Sequence, residues 1–218
     1  MLLLQQMVIF FLIMLIGYIC RKVGVFGENT GKMISGIVIN IGNPALIIAS
    51  GMNPETLENK AALLVTLAVA LIFFAIMFVI AELIPRLLRA DREDYGSYQV
   101  MTIFANIGFM GYPLLDAMYG GEAVIHAAIF NLLYSVLIYT YGINRMKTSG
   151  QREKLNGKQL MNVGVISCLI AVTLYISNLP VPMVFKDTAT RIGAVTGPLS
   201  MLVIGDSLAQ IRLKDLFT

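Results

Sequence analysis

Apolar residues fall in seven runs, at about 2–20, 33–52, 61–84, 98–118, 123–141, 161–176 and 192–208, divided by short polar connections. A helix needs about 20 mostly apolar residues to cross the roughly 30 Å hydrocarbon core of a bilayer, so this pattern predicts seven membrane-spanning helices. Arg21-Lys22 close the first run and Pro85-Arg86 the third. The first run has no Lys or Arg ahead of it and no small-residue cleavage motif, which marks a span and not a removable leader. The one polar connection of any length, 144–158, divides the chain after the fifth run.

Composition agrees with the pattern: 57% of residues are hydrophobic, 13% are charged and Trp is absent. Soluble chains average about 45–50% apolar and about 25% charged, so no soluble domain fits. The formal net charge of +3 matters less than its placement. With the N-terminus outside and seven crossings, Arg21, Lys22, Lys32, Arg86, Arg89, Arg92, Arg145, Lys147, Arg152, Lys154, Lys158, Arg212 and Lys214 fall on the cytoplasmic side, against Lys60, Lys186 and Arg191 outside. Such an excess follows the positive-inside rule, and a miscount of one span would scramble it. The basic midpoint loop reads as a solvated face attracted to anionic lipid, not as a nucleic-acid surface. One His, His126, and two scattered Cys, Cys20 and Cys168, form no nucleophile–base pair, metal cluster or disulfide framework. No enzyme, cofactor or metal site is therefore expected.

Within the fourth run, Asn106-Ile107-Gly108-Phe109-Met110-Gly111-Tyr112-Pro113 places an amide, two glycines and a proline inside an otherwise apolar helix. Proline has no N–H to donate and clashes with the carbonyl four residues earlier, so a break is expected with Pro113 as its cause. Freed backbone groups in hydrocarbon are tolerated only where protein or a water-lined cavity satisfies them. A cavity and a packing kink are the two readings, and Asn106 with its paired glycines favours the cavity. The second run holds Asn40, Gly42, Asn43 and Pro44, an interruption of the same kind, and the seventh holds Gly197-Pro198. Sliding the chain by 154 residues lays Pro44 on Pro198 and Gly51 on Gly205. Five spans per unit would start the second unit on the opposite side of the membrane, and inverted repeats with discontinuous helices point to a secondary transporter.

The Asn-x-Gly-Phe-x-Gly-x-Pro-Leu pattern of 106–114, the proline-bearing second run and the Gly-Pro-Leu-Ser-Met-Leu-x-x-Gly of 197–205 resemble the auxin efflux carrier family of bacterial permeases. That resemblance covers essentially the whole chain. It implies an all-α integral membrane protein of the inverted five-helix repeat type, similar to bile acid symporters and sodium/proton antiporters, whose broken fourth helices cross at the substrate site. It also implies a multi-pass protein of the bacterial inner membrane that moves organic anions such as malate, malonate or auxin and forms a homodimer. On this plan 1–143 is the first unit, 144–160 a cytoplasmic linker, and 161–218 the start of a second unit that stops after two helices, so that the chain is expected to be a fragment.

The candidate substrate-binding residues are Asn106, Gly108, Gly111 and Pro113 in the fourth run, Asn43 and Pro44 in the second, and Asn131 in the fifth, where it shares a face with Tyr134 and Ser135. No Lys or Arg lies centrally in any run, so an anion would have to be met by amides and by a helix N-terminus formed just after Pro113. Asn106 also admits a plainer role, an interhelical hydrogen bond of about 1 kcal/mol. Asp206 in the seventh run is the candidate for coupling to a proton or sodium, since an ionisable group inside a span is a functional hypothesis by default. A sodium/proton antiporter and a non-transporting scaffold are the alternatives; the antiporter calls for paired midplane carboxylates, and only Asp206 qualifies.

Overall fold

The computed structural model describes residues 2–52, 60–91, 94–104, 106–146, 161–177 and 179–211. Regular structure among them is helical throughout: α1 Leu2–Lys22, α2 Thr30–Ile37, α3 Asn43–Gly51, α4 Lys60–Leu87, α5 Tyr95–Ile103, α6 Tyr112–Tyr119, α7 Gly121–Leu137, α8 Ile143–Met146, α9 Val163–Ser177, α10 Met183–Ala194 and α11 Thr196–Gln210. Single π-turns at Val38–Gly42, Ile107–Gly111 and Ile138–Gly142 join α2 to α3, lead into α6, and join α7 to α8. Six of the resulting rods are long and apolar enough to cross a membrane: Leu4–Lys22, Thr30–Gly51, Ala62–Leu87, Tyr95–Tyr119, Gly121–Gly142 and Met183–Gln210. The sixth span of the seven is α9, whose 15 residues are apolar but shorter. At 1.5 Å per residue α9 is roughly 22 Å long, less than the roughly 30 Å hydrocarbon core. Most of the basic midpoint loop lies outside the described residues.

Three expectations about the helices need correction. The last rod begins at Met183 and not near 192, so Lys186 and Arg191, assigned to an outer loop, lie within α10. Their charges end the apolar run without ending the helix, because helical backbone continues wherever its own N–H and C=O groups pair. The second span is not broken as the fourth is. Ile37, Gly42 and Asn43 all keep right-handed helical dihedrals, and Pro44 sits in the first turn of α3. The preceding π-turn inserts one extra residue, which moves the carbonyl that the ring would strike. Pro113 is treated identically: Gly111 adopts φ −63, ψ −58 where Gly42 adopts φ −64, ψ −58, and α6, like α3, starts one residue before its proline.

The fourth span does break, but upstream of its proline. Phe104 (φ −104, ψ 88) and Asn106 (φ −79, ψ 76) leave helical space, and helix resumes at Ile107. The break therefore lies at 104–106.

Packing pairs the first span with the seventh and the second with the sixth. A Cβ on Gly205 would strike the backbone oxygen of Met14, and one on Gly51 the backbone oxygen of Ala171, so both glycines let helix backbones touch. Close approach through small residues is the usual way helices associate where no hydrophobic force acts between them. Exchanging first with sixth and second with seventh turns one pairing into the other. The third, fourth and fifth spans pack around buried Phe74, Ala81 and Ile103, extended by edge-on contacts of Phe73 with Phe130 and of Phe104 with Tyr134, while a larger core including Ile47, Tyr112, Ala128 and Cys168 joins the fourth and fifth spans to the second and sixth. A polar network ties one end of the third, fourth and fifth spans: Gln99 Nε2 donates to Glu82 Oε1 at 2.8 Å, and Arg145 reaches the same oxygen at 3.2 Å.

Candidate substrate site

Breaking the fourth span at 104–106 creates a helix N-terminus at Ile107, whose leading N–H groups have no acceptor within the helix. Asn106 caps it. Its Oδ1 accepts a hydrogen bond from the Phe109 N–H at 3.0 Å. With Oδ1 committed to the cap, the NH₂ of Asn106 is the half that remains for a ligand. Asn106 is exposed and lines a cavity of about 690 Å³ between the second, fourth, fifth and sixth spans.

Asparagines supply most of the polar wall. Asn40 and Asn43 enter from the second span, Asn106 from the fourth, Asn131 from the fifth and Asn162 from the start of the sixth. Asn43 is 7% exposed, and its Oδ1 has no hydrogen-bond partner among the described residues. Its Nδ2 lies 3.4 Å from where a Cβ on Gly108 would stand, so the missing side chain at 108 lets this amide lie against the π-turn backbone. Asn131 Nδ2 donates to Cys168 Sγ at 3.5 Å, and the buried Tyr112 hydroxyl sits 3.9 Å from the same sulfur. No Lys, Arg, Asp or Glu lines the cavity among the described residues.

The expected site residues thus separate into two groups. Asn43, Asn106, Gly108 and Asn131 share the cavity wall; Pro44, Gly111 and Pro113 do not. Pro113 is buried against the seventh span, 3.4 Å from where a Cβ on Gly197 would stand. Gly111 borders a second, apolar cavity of about 450 Å³ walled by Phe73, Phe74 and Phe130. His126 also faces that cavity, with Nδ1 2.6 Å from Thr66 Oγ1 across to the third span. Asp206 stands apart from both: it is 1% exposed, 3.3 Å from Arg21 Nε, and accepts from Gln210 Nε2 at 3.1 Å. Arg21 Nη1 donates to the carbonyls of Phe26 and Gly27. The carboxylate proposed for coupling is placed as one half of an ion pair joining the first and seventh spans.

Asn162 escaped sequence reasoning. Its Oδ1 accepts from the Val165 N–H at 3.0 Å, which makes it the N-cap of α9. An Asn directly ahead of an apolar run is the ordinary signal for such a cap. That signal gives the start of the helix but not what the start faces.

Rods of this length and hydropathy, one of them interrupted beside an uncharged, largely apolar cavity that carries several amides, define a multi-pass, all-α integral membrane protein of transporter type. A family model described as "Membrane transport protein" matches residues 2–215, and the chain belongs to that family, the auxin efflux carrier family. An uncharacterized transporter of Methanothermobacter thermautotrophicus is 25% identical over 204 residues, covering 90% of this chain and 65% of that protein. One from Methanocaldococcus jannaschii is 25% identical over 216 residues, covering 93% and 68%. The chain spans about two thirds of the length of these curated relatives.

Proposed function

We propose that this protein is a secondary carrier for a small organic anion such as a carboxylate, which it binds at the Asn106-capped break and moves by alternating access. The observation that carries the reading is a membrane cavity whose donors are amide groups and a helix N-terminus, with no basic side chain on its wall. Helix N-termini attract anions through their dipole and unpaired N–H groups, so a carboxylate can be held without burying a Lys. The antiporter alternative rests on Asp206, whose carboxylate is engaged by Arg21.

The proposed architecture is a first five-span unit over 1–143, a linker over 144–160 and part of an inverted second unit over 161–218. The exchange relation between the first–seventh and second–sixth pairings supports it, because a two-fold repeat would produce that relation. The proposed topology has the N-terminus outside the bacterial inner membrane. Side-chain bonds support the alternation of spans. The Arg21–Asp206 pair joins the distal ends of the first and seventh spans, and Glu82, Gln99 and Arg145 join the end of the third, the start of the fourth and the end of the fifth. Seven alternating crossings put each of these groups on a single side.

Ligand-induced shifts in melting temperature of the detergent-purified protein test the reading. Malate, malonate or indole acetate should stabilise it in proportion to the logarithm of concentration. Malonamide, the same frame without charge, should do nothing. Equal effects of malonate and malonamide, or none from any anion, would contradict an anion site.

A further inference from the structure

The start of α11 lies against both proline-bearing π-turns. A Cβ on Gly42 would stand 2.6 Å from Thr196 Oγ1, and a Cβ on Gly197 would stand 3.4 Å from Pro113 Cβ, so Thr196 meets the second span and Gly197 the fourth. At each π-turn one carbonyl loses its helical donors. The Asn43 N–H turns back to the Val38 carbonyl and Pro44 has no N–H, so the Ile39 oxygen is met neither by the residue four ahead nor by the one five ahead. The Tyr112 N–H turns back to the Ile107 carbonyl in the same way and Pro113 has no N–H, which frees the Gly108 oxygen.

Side-chain oxygens join them. Thr196 and Ser200 stand one helical turn apart on one face of α11; both are fully buried, and neither hydroxyl has a hydrogen-bond partner among the described residues. Asn43 follows Gly42 directly, and its Oδ1 is likewise buried and unpartnered. Buried polar groups are normally paired, so orphaned oxygens beside two carbonyls without donors mark a place where positive charge is wanted. No carboxylate belongs to this set. Hard divalent ions usually take carboxylate ligands, whereas carbonyls released by interrupted membrane helices coordinate sodium.

We infer that the crossing of the second, fourth and seventh spans is a sodium-binding site, with Thr196 Oγ1, Ser200 Oγ and Asn43 Oδ1 as its side-chain ligands and the carbonyls released at the π-turns as its backbone share. Asp206 takes no part: it lies roughly 15 Å further along α11 by helix rise, where Arg21 pairs with it. A cation held here joins three spans through neutral oxygens. The site needs no organic anion and stands or falls separately from the anion reading.

The test is melting of the detergent-purified protein, with no carboxylate present, in sodium chloride against choline chloride at constant ionic strength. Wild type should melt higher with the logarithm of sodium concentration and show no such rise with choline. Thr196→Val keeps the shape of the side chain and removes its oxygen. That variant and Ser200→Ala should each need at least about tenfold more sodium for the same rise, the scale of one contact between a neutral oxygen and a charge, while Thr196→Ser keeps the wild-type response. In choline chloride, Thr196→Val and Ser200→Ala should melt at or above the wild-type temperature, because each deletes an oxygen that has no protein partner. Oxygens that served only as internal hydrogen-bond partners would instead lower melting equally in both salts when removed. Equal melting of wild type in sodium and choline would overturn the site, as would a sodium response that survives both Thr196→Val and Ser200→Ala.

Discussion

Asn106 holds the helix start through Phe109 and also faces the cavity, so alanine there confounds two losses. Asp separates them: its carboxylate caps as well as Asn does but meets an incoming anion with like charge. Asp206 is a contrasting case, a buried carboxylate paired with Arg21 through an Oδ1 that makes no hydrogen bond among the described residues. Replacing it with Asn should leave Arg21 without its counter-charge and cost about 3 kcal/mol of stability, as expected for breaking a buried pair from one side. Melting should register that loss, while the sodium and proton dependence of flux per folded molecule stays as in wild type. A changed ion dependence with unchanged melting would return Asp206 to the coupling role. Legibility in the sequence followed the contrast between a residue and its neighbours. Asn43, Asn106 and Asn131 interrupt apolar runs and were readable as a set, which the structure places on one cavity wall. Asn162 stands at the edge of a run, where polar residues are ordinary, and gave no hint of the cavity it faces.

At the level of elements, proline was the misleading signal. Pro44 and Pro113 each follow a glycine by two residues, and in both places a π-turn takes up the disturbance and leaves the helix continuous. What parts the fourth span is the extended backbone at Phe104 and Asn106, which no proline causes. Composition announces a disturbed helix but does not say on which side of the motif the chain will open. Pro113→Ala should therefore keep the break, the Asn106 cap and the cavity, and lower flux by less than about tenfold, equivalent to under 1.4 kcal/mol. A proline-made break would instead close on this substitution, and flux would fall with it. Six of the seven expected spans were legible from hydropathy as helices of crossing length, and the sixth is the shorter, 15-residue α9. The charged start of the last rod, α10, was not legible, because Lys186, Asp187 and Arg191 look like loop residues until their backbone is seen.

For the whole molecule, two groups of helices meet at the cavity. Spans one, two, six and seven pack through close glycine contacts, and spans three to five pack through aromatic rings and the Glu82–Gln99–Arg145 network. The cavity is walled from both groups, by Asn43 and Asn162 on one side and by Asn106 and Asn131 on the other. Topology can be read directly. In a background free of Cys20 and Cys168, a cysteine at Lys32 should react with an impermeant maleimide only from the cytoplasmic side, and one at Glu122 only from outside. The reverse pattern would invert the proposed orientation, and labelling of both from one side would refute the alternation of spans.

The central claim, that an uncharged amide cavity at the break carries a small organic anion, is tested most directly by counterflow of labelled malonate in proteoliposomes. Wild type should accumulate label against unlabelled internal malonate, and Asn106→Asp, matched for melting temperature and reconstituted amount, should lose at least about tenfold of that rate, or about 1.4 kcal/mol of transition-state stabilisation. Equal rates from the two proteins would contradict the claim, as would wild-type accumulation no greater than that of protein-free vesicles.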